Sequence, residues 1–293
     1  MLLLQNLMSY LVTMLSLEAV LWRAPGASDS ADVDDDLGNS STPLRNVATL
    51  EDPGVNEPCR VLWKPQEGSG GAEHVGTLGR HVRIYDVAAD GAPRESCSFA
   101  ISEATPAFGG AWDPHHGSTV SVTHDCSASG WDMRSQKLAY SIATAHKYAA
   151  RGIDYNPNKP LCVVTSGDDR LVKCWDLRNT RAPVRTLAGH SHWCWTVKYN
   201  RFHDQLLLSA GSDSIVNLWR CSSISSAPLL ELDGDPNQAE ADDCKVRTFT
   251  DHEESVYSAA WSACDAWVWA SLDYSGRVVI NHVPSTEKYK ILL

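Results

Sequence analysis

Basic residues are scarce in this chain, which has 25 Lys and Arg against 36 Asp and Glu in 293 residues, a formal net charge of −11. The acidic residues are concentrated in two stretches, Asp29–Asp36 and Asp233–Asp243. A protein that binds a nucleic-acid backbone needs a basic stripe to neutralise the phosphates. We therefore expect no nucleic-acid partner.

Motifs that hold metals, disulfides or phosphates are also lacking. The nine cysteines are scattered, mostly at strand positions, and no Cys-x-x-Cys occurs, which favours free thiols in a reducing, intracellular setting over a zinc site or a disulfide scaffold. His115 and His116 with His124 form the one histidine cluster and are interpreted as an exposed loop. Gly68–Gly71 is not followed by Gly-Lys-Ser/Thr, so it is not a phosphate loop. We expect no metal, no cofactor and no small-molecule substrate.

The apolar start of the chain lacks the features of a targeting segment. Residues 1–22 have no basic start and are interrupted by polar residues, Glu18 among them, so we expect neither a signal peptide nor insertion into a membrane. The segment Ala19–Arg23 is instead predicted to be the third strand of a partial leading unit.

What the chain does have is a strict period. Trp131, Trp175 and Trp219 are each 44 residues apart, as are the aspartates six residues before them and the hydroxyl residues four before those. A fixed step of this length indicates an array of one supersecondary unit. Between these recurring residues, short runs of alternating apolar and polar residues are bounded by Gly, Asp, Asn and Ser. This pattern favours β-strands over helices.

Each unit holds four short strands, the content of one propeller blade. The clearest unit is predicted to have its strands at Cys194–Arg201, Gln205–Ala210, Ile215–Cys221 and Ala227–Leu232. The unit before it is predicted to have strands at Gly152–Asn156, Leu161–Ser166, Leu171–Leu177 and Val184–Leu187. This is the WD-repeat pattern, so the predicted fold is an all-β WD-repeat propeller.

Two units carry a complete polar tetrad of His, Thr or Ser, Asp and Trp. The tetrads are His146, Thr165, Asp169, Trp175 and His190, Ser209, Asp213, Trp219. In WD-repeat proteins this set forms one hydrogen-bonded chain, because a buried Trp N–H without a partner costs about 1–3 kcal/mol. His, Ser and Asp also make hydrolase triads, but a catalytic set normally occurs once. We interpret the recurring set as structural and the protein as not an enzyme.

The other units are less regular. The last has His252 and Ser271, but Ser275 stands where Asp is expected and Asn281 where Trp is expected, so apolar packing is predicted to hold it. Two separations between equivalent positions are longer than the 44-residue period. The separation of Trp22 from Tyr85 is 19 residues longer, and that of Trp219 from Asn281 is 18 residues longer.

Those excesses set the predicted domain boundaries. Residues 1–23 are predicted to be a partial leading blade or a replaced N-terminus, and residues 24–43 an acidic disordered loop. Residues 44–293 are predicted to form the propeller, with an acidic insertion at 233–246. Seven units with both insertions need about 345 residues, so we expect about five complete blades and part of a leading one.

From Ala107 onward the amino-acid sequence resembles one branch of the WD-repeat proteins. The resemblance is carried by Trp112–His116, Arg151–Lys159, His190–Trp193, His203–Leu208 and Ser275–Asn281. These stretches are similar to the EARP- and GARP-interacting protein family, also called the tumour-suppressing subtransferable candidate WD protein. The resemblance implies seven blades and a cytoplasmic adaptor, peripheral to the trans-Golgi network and endosomes. It also implies association with the EARP and GARP tethering complexes in endosomal recycling and endosome-to-Golgi retrograde transport.

In this family, residues three and five after the Gly-His histidine project around the central opening, as do residues before the turn aspartates. These positions are predicted to bind the partner, and we single out Arg151, Asp168, Trp193, Trp195 and Tyr257. Ordinary strand packing is the competing interpretation for Trp193 and Trp195.

A second interpretation rests on Trp131–Arg134 and Trp175–Arg178. Both read Trp-Asp-x-Arg, the motif by which some WD propellers act as substrate receptors of cullin-type ubiquitin ligases. Arg134 and Arg178 would then contact the ligase. Alternatively, each arginine simply pairs with a nearby carboxylate.

Overall fold

A computed structural model describes residues 60–64, 73–87, 93–102, 105–226 and 243–292, and the backbone of residues 10–15, 18–23 and 45–50. These residues form two compact units, 1–106 and 107–293. The predicted loop 24–43 lies outside the described residues, as does most of the predicted insertion 233–246. Among the described residues, no helix is both long and apolar enough to cross a membrane.

The first unit contains two antiparallel sheets. Sheet 1 has the order β1 (Tyr10–Leu15), β2 (Glu18–Arg23), β3 (Arg45–Leu50). Sheet 2 has the order β4 (Arg60–Trp63), β5 (Glu73–Leu78), β6 (His81–Val87), β7 (Pro93–Ala100). The predicted strand Ala19–Arg23 is therefore confirmed, within β2.

The second unit contains four sheets, each built from consecutive strands. Sheet 3 is β8 (Ala107–Trp112), β9 (Thr119–His124), β10 (Ser127–Asp132), β11 (Lys137–Ile142). Sheet 4 is β12 (Ala150–Tyr155), β13 (Cys162–Gly167), β14 (Leu171–Asp176), β15 (Arg185–Ala188). Sheet 5 is β16 (Cys194–Tyr199), β17 (Leu206–Gly211), β18 (Val216–Arg220), β19 (Cys244–Phe249). Sheet 6 is β20 (Val256–Trp261), β21 (Val268–Asp273), β22 (Val278–His282), followed by helix α1 (Ser285–Leu292).

The fourth strand of sheet 5 corrects the sequence prediction. It was predicted at Ala227–Leu232, which lies outside the described residues, whereas β19 at Cys244–Phe249 pairs with β18. The acidic stretch therefore lies between the third and fourth strands of one sheet rather than after the fourth. Its predicted end, at 246, falls inside β19.

Apolar clusters between neighbouring sheets form the core of the second unit. Sheets 4 and 5 enclose Val164, Val172, Val197 and Leu207, all of them fully buried. Similar clusters lie between sheets 3 and 4 and between sheets 5 and 6. Because each sheet packs on the next, the unit is a serial stack of repeats.

A register shift marks the aromatic position in the third strand. The pairing of the third with the fourth strand slips immediately before Tyr85, Trp131 and Trp219. The pairing of β2 with β3 slips in the same way between Leu21 and Trp22. The strands of sheet 1 therefore correspond to the second, third and fourth strands of a blade.

Candidate functional site

The polar tetrads in sheets 4 and 5 form continuous hydrogen-bonded chains. His146 Nδ1 lies 2.7 Å from Asp169 Oδ1, its Nε2 lies 2.8 Å from Thr165 Oγ1, and Trp175 Nε1 donates to that hydroxyl at 2.9 Å. The set is buried, with His146 and Thr165 at 0% exposure. Its polar atoms are therefore engaged with one another.

The second tetrad has the same connectivity. His190 Nδ1 lies 3.1 Å from Asp213, and its Nε2 lies 2.8 Å from Ser209 Oγ, which also accepts from Trp219 Nε1 at 2.8 Å. The Ser209 hydroxyl has two partners and no exposed surface. It is therefore not placed to attack a substrate.

Sheet 6 corrects a prediction about the last unit. His252 Nδ1 lies 2.8 Å from Asp273 Oδ2, and its Nε2 lies 2.6 Å from Ser271 Oγ. Ser275, at the expected Asp position, donates to Asp273 Oδ1 at 2.6 Å. This unit is thus held by a buried polar triad as well as by apolar packing, and Asn281 replaces the Trp.

Sheet 3 uses a different arrangement. Trp131 Nε1 donates to Ser129 Oγ at 3.0 Å rather than to Ser121. The Ser121 hydroxyl bonds instead to the hydroxyl groups of Tyr140, at 2.6 Å, and Tyr155. Burial raises the pKa of Tyr140 to about 12, so these phenols stay protonated.

The two tetrad histidines have opposite pKa shifts despite their shared geometry. Burial lowers the pKa of His146, and the nearby Lys173 charge also lowers it. Burial alone would lower the pKa of His190 too, but the adjacent Cys194 sulfur and the Asp213 carboxylate raise it to about 10. Burial by itself raises the pKa of Asp169 and Asp213, but their histidine partners hold both below the ordinary value.

Four bulges align the predicted rim positions. In sheets 3 to 6 the first strand skips one residue in its pairing with the second, which leaves that residue outside the ladder. The four bulge residues are Phe108, Arg151, Trp195 and Tyr257. Three of them are predicted partner-binding residues, and Phe108 extends the series to sheet 3.

Backbone hydrogen bonds place the turn residues beside these bulges. Asp168 N donates to Ala149 O at 2.8 Å, and Ser212 N donates to Trp193 O at 2.8 Å. Tyr274 N donates to Ser255 O at 2.9 Å in the same position of sheet 6. The turn between second and third strands therefore lies next to the loop that precedes the first strand.

Arg151 is the centre of this surface. Its guanidinium lies 4.5 Å from the Phe108 ring centroid, 4.7 Å from that of Trp195 and 5.8 Å from that of Trp193. It also donates twice to the Asp168 carboxylate, at 2.8 and 2.7 Å. Because the stacking and the bidentate pair are both partly buried, Arg151 is held in one orientation.

Trp193 extends from this cluster toward solvent. It is 42% exposed, and its ring meets that of Trp195 edge-on at 6.1 Å. Trp195 is anchored through its indole N–H, which donates to Ser212 Oγ. Tyr148 and Tyr274, in equivalent loops and turns, are 55% and 81% exposed. We call the surface formed by Phe108, Tyr148, Arg151, Asp168, Trp193, Trp195, Tyr257 and Tyr274 the aromatic rim.

Sequence reasoning missed three of these residues. Phe108 lies 43 residues before Arg151, but no Gly-His pair opens its unit. Tyr148 lies two residues after His146, one residue short of the first predicted rim position, and Tyr274 follows Asp273, which was not recognised as the acid of its unit. The residue spacing was the signal that would have found Phe108.

The Trp-Asp-x-Arg arginines lie elsewhere. Arg134 and Arg178 follow the ends of β10 and β14, whereas the turns that contribute to the aromatic rim precede the starts of these strands. Arg178 makes a bidentate pair with Asp176 at 2.7–3.1 Å, and Arg134 lies 3.8 Å from Asp132. Both arginines are exposed, at 66% and 81%.

A second polar series, also missed, follows the first strand of sheets 3 to 6. Side chains there accept hydrogen bonds from backbone N–H groups two and three residues later, as in Asx turns. The series is Asp113, Asn156, Asn200 and Ser262. Further bonds link neighbouring sheets, as from Asn156 Nδ2 to Asp204 at 2.9 Å and from Asn200 Nδ2 to Ala266 O at 2.6 Å.

Repeated antiparallel sheets with His, hydroxyl and Asp chains define a WD-repeat β-propeller protein, as the sequence predicted. The family model described as "EIPR1 beta-propeller" matches residues 8–219, and a "WD domain, G-beta repeat" model matches residues 243–280. The chain belongs to the EIPR1 β-propeller family, which confirms the resemblance identified from its sequence.

Three relatives illustrate the similarity. The chain is 38% identical over 294 residues to the "EARP-interacting protein homolog" of Danio rerio, and 36% identical over 300 residues to "EARP and GARP complex-interacting protein 1" of Homo sapiens. Each alignment covers 94% of this chain and 76% of the relative. The "WD repeat-containing protein DWA2" of Arabidopsis thaliana is 35% identical over 271 residues, 90% of this chain and 72% of that protein.

Proposed function

We propose that this chain is a non-enzymatic adaptor that binds the EARP and GARP tethering complexes through the aromatic rim. Its role is in endosomal recycling and endosome-to-Golgi retrograde transport, as a cytoplasmic protein peripheral to the trans-Golgi network and endosomes. Support comes from the names of its relatives, which describe proteins that interact with these complexes. The net charge of −11 favours protein partners over nucleic acid.

The rigid Arg151 cluster beside an exposed Trp193 is the observation that carries the assignment of the face. Interface hot spots are enriched in Trp, Tyr and Arg and are strongest where the side chains are already held in place. Arg151 is fixed by Asp168, and Trp195 by Ser212. A partner therefore meets a preorganised surface and loses little conformational entropy in binding it.

The experiment compares two exposed aromatic residues at opposite ends of β16. Trp193→Ala removes an exposed side chain of the aromatic rim, just before β16. The control, Phe202→Ala, removes a side chain that is 47% exposed and lies after the end of β16. We expect Trp193→Ala to reduce co-purification of EARP and GARP subunits by at least about tenfold, with the control unchanged. Circular dichroism checks that both variants stay folded. Equal retention of the complexes by both variants would exclude this face.

Two features support a role without catalysis. The set of His, Thr or Ser, and Asp recurs in three sheets, and Ser209 is fully buried and accepts a hydrogen bond from the Trp219 indole. Treatment of the folded protein with a serine-reactive phosphonate is expected to leave Ser209 unlabelled, as judged by mass spectrometry. Labelling of Ser209 would overturn the non-enzymatic assignment.

A second candidate function is substrate receptor of a cullin-type ubiquitin ligase. It rests on the exposure of Arg134 and Arg178 at equivalent ends of third strands. If this function holds, Arg134→Glu with Arg178→Glu abolishes co-purification of the ligase adaptor, while Arg170→Glu, an exposed charge change in the turn after β13, does not. Unchanged ligase binding by the double variant would exclude this role.

A further inference from the structure

Charge changes sign along equivalent positions beside the aromatic rim. The residue that follows the buried histidine is Lys147 in sheet 4, Ser191 in sheet 5 and Glu253 in sheet 6, and all three are exposed. Lys147 N and Ser191 N donate to the tetrad aspartates at 3.2 and 2.8 Å, which confirms that these two positions correspond. The loops before the first strands therefore change from basic through neutral to acidic over three consecutive sheets.

The turns between second and third strands add to this difference. In each turn, the residue two positions after the one whose N–H bonds to the neighbouring loop is Arg170 in sheet 4, Ser214 in sheet 5 and Gly276 in sheet 6. Arg170 is exposed. Sheet 4 thus presents a second cation where sheets 5 and 6 have an uncharged residue.

The charged side chains on sheets 4 and 6 are available to a partner. We call Lys147 and Arg170 the basic end, and Glu253 with the adjacent Glu254 the acidic end. All four residues are exposed, and none of them makes an ion pair with another described residue. The Lys147 ammonium lies 5.4 Å from the ring centroid of Tyr148, which is part of the aromatic rim.

The centre of the rim, between these ends, carries no excess charge. The Arg151 guanidinium is paired with the Asp168 carboxylate at 2.7 Å. Trp193, which is 42% exposed, belongs to the loop of sheet 5, between the other two loops. The rim therefore presents a basic end, an apolar centre and an acidic end in the order of the sheets.

Two exposed charges limit these ends. Ala150 N donates to Asp125 O at 2.7 Å, so the exposed Asp125 lies beside the loop of sheet 4 and confines the basic end to that sheet. Arg277 follows the turn of sheet 6 and is also exposed, which leaves that sheet with two acids against one base. The difference in sign between sheets 4 and 6 remains.

The distance between the ends suits a short segment of chain. Sheets 4 and 5 enclose one apolar cluster, and sheets 5 and 6 enclose the next. Packed sheets lie about 10 Å apart, so the two ends are separated by about 20 Å. An extended chain advances about 3.3 Å per residue, so about six residues span this distance.

From this arrangement we infer that the partner crosses the aromatic rim as an extended segment in one fixed direction. Acidic residues of the segment pair with the basic end, an apolar side chain covers Trp193, and basic residues pair with the acidic end. The inference rests on the proposed function, because it names the chemistry that the aromatic rim recognises. Complementary charges favour one orientation of a bound segment, and like charges oppose the reverse orientation.

Charge reversal at each end tests the direction. Lys147→Glu with Arg170→Glu reverses the basic end, and Glu253→Lys with Glu254→Lys reverses the acidic end. We expect either pair of changes in the full chain to reduce co-purification of EARP and GARP subunits by about tenfold, because like charges then face each other. Circular dichroism checks that the variants stay folded.

A variant with all four changes separates direction from net charge. It keeps the net charge at −11, so a partner attracted only by net charge would be recovered as from the unaltered chain. We expect instead a loss at least as large as that caused by either pair. The matched control is Lys137→Glu with Arg181→Glu, which changes the net charge as the basic-end pair does, at exposed positions after β10 and β14. We expect this control to retain the complexes.

Cross-linking with a carbodiimide, which joins an amine directly to a carboxylate, identifies the occupant. In the purified complex we expect Lys147 to be joined to an Asp or Glu of a partner subunit. Glu253 or Glu254 should be joined to a Lys within about ten residues of that acid, as mass spectrometry of the cross-linked peptides would show. Lys147 joined instead to an acidic residue of this chain, in the same or a second copy, would overturn the inference.

The binding results separate failure of this inference from failure of the proposed function. If Trp193→Ala loses the complexes while the charge variants retain them, the inference is wrong and the proposed function stands. Normal recovery with the four-residue variant likewise overturns the inference alone. If Trp193→Ala retains the complexes, the proposed function fails and this inference fails with it.

Discussion

Removal of the Ser209 hydroxyl tests how the tetrads stabilise the sheets. Ser209→Ala deletes one oxygen that accepts from the Trp219 indole and pairs with His190, both at 2.8 Å. Because the two nitrogens belong to residues only 4% and 8% exposed, water does not readily replace the hydroxyl. Each unpaired buried group costs about 1–3 kcal/mol, so we expect a total loss of about 2–4 kcal/mol.

Sheet 6 supplies the control, since it has the same histidine and hydroxyl but Asn281 at the position of the tetrad Trp. Ser271→Ala leaves only His252 without its 2.6 Å partner, and we expect a loss of about 1–2 kcal/mol. Urea unfolding followed by circular dichroism measures both variants, with free energies from linear extrapolation.

A double-mutant cycle separates the indole bond from the other effects. Trp219→Phe removes the N–H that Ser209→Ala leaves unpaired, so the double variant should lose less than the sum of the single losses, by about 1 kcal/mol. Equal losses for Ser209→Ala and Ser271→Ala, together with additive behaviour in the cycle, would refute the view that the indole bond contributes.

Three further predictions follow from the geometry. Asp273→Ala should lower the urea midpoint clearly more than an Asp→Ala change at an exposed position, because it removes the buried carboxylate that pairs with His252. An equal shift in the two variants would show that apolar packing holds that sheet. Gly109→Ala should destabilise the fold by about 2 kcal/mol or more, since its Cβ would lie 2.3 Å from Arg151 O; unchanged urea unfolding would contradict this. In a histidine NMR titration, His146 should titrate below 6.5 and His190 near pH 10. The His146 contribution to stability is then complete above pH 6.5 and lost as pH falls, whereas that of His190 is complete below 6.5 and lost as pH rises through about 10; a shared midpoint would refute the assigned environments.

The sequence predicted the regular sheets because each 44-residue unit fixes several residue types at fixed distances. It could not place the fourth strand of sheet 5, since Ala227–Leu232 and Cys244–Phe249 are both short runs that can form a strand. The choice depends on pairing with β18, which is a tertiary contact.

Prediction of the site was limited by offsets along the chain. In sheet 6 the acid that bonds to His252 is Asp273, which stands two residues earlier in its unit than Asp169 and Asp213 do in theirs. The hydrogen bond depends on where the carboxylate lies in space, and the residue spacing alone does not show this. Arg151, Trp195 and Tyr257 were selected from family resemblance. The contacts of Arg151 with Phe108 and Asp168 depend on the packing of neighbouring sheets, which one sequence does not reveal.

The bulge in the first strand of sheets 3 to 6 separates the proposed partner contacts from the pairing that stabilises the sheet. A residue that the pairing skips contributes no rung to the ladder, so its side chain can be exchanged while the sheet keeps its hydrogen bonds. Phe108, Arg151, Trp195 and Tyr257 therefore act as four adjustable positions on a constant frame. If the aromatic rim binds the partner as proposed, a substitution at one of these four positions changes the binding surface without changing the pairing of the strands.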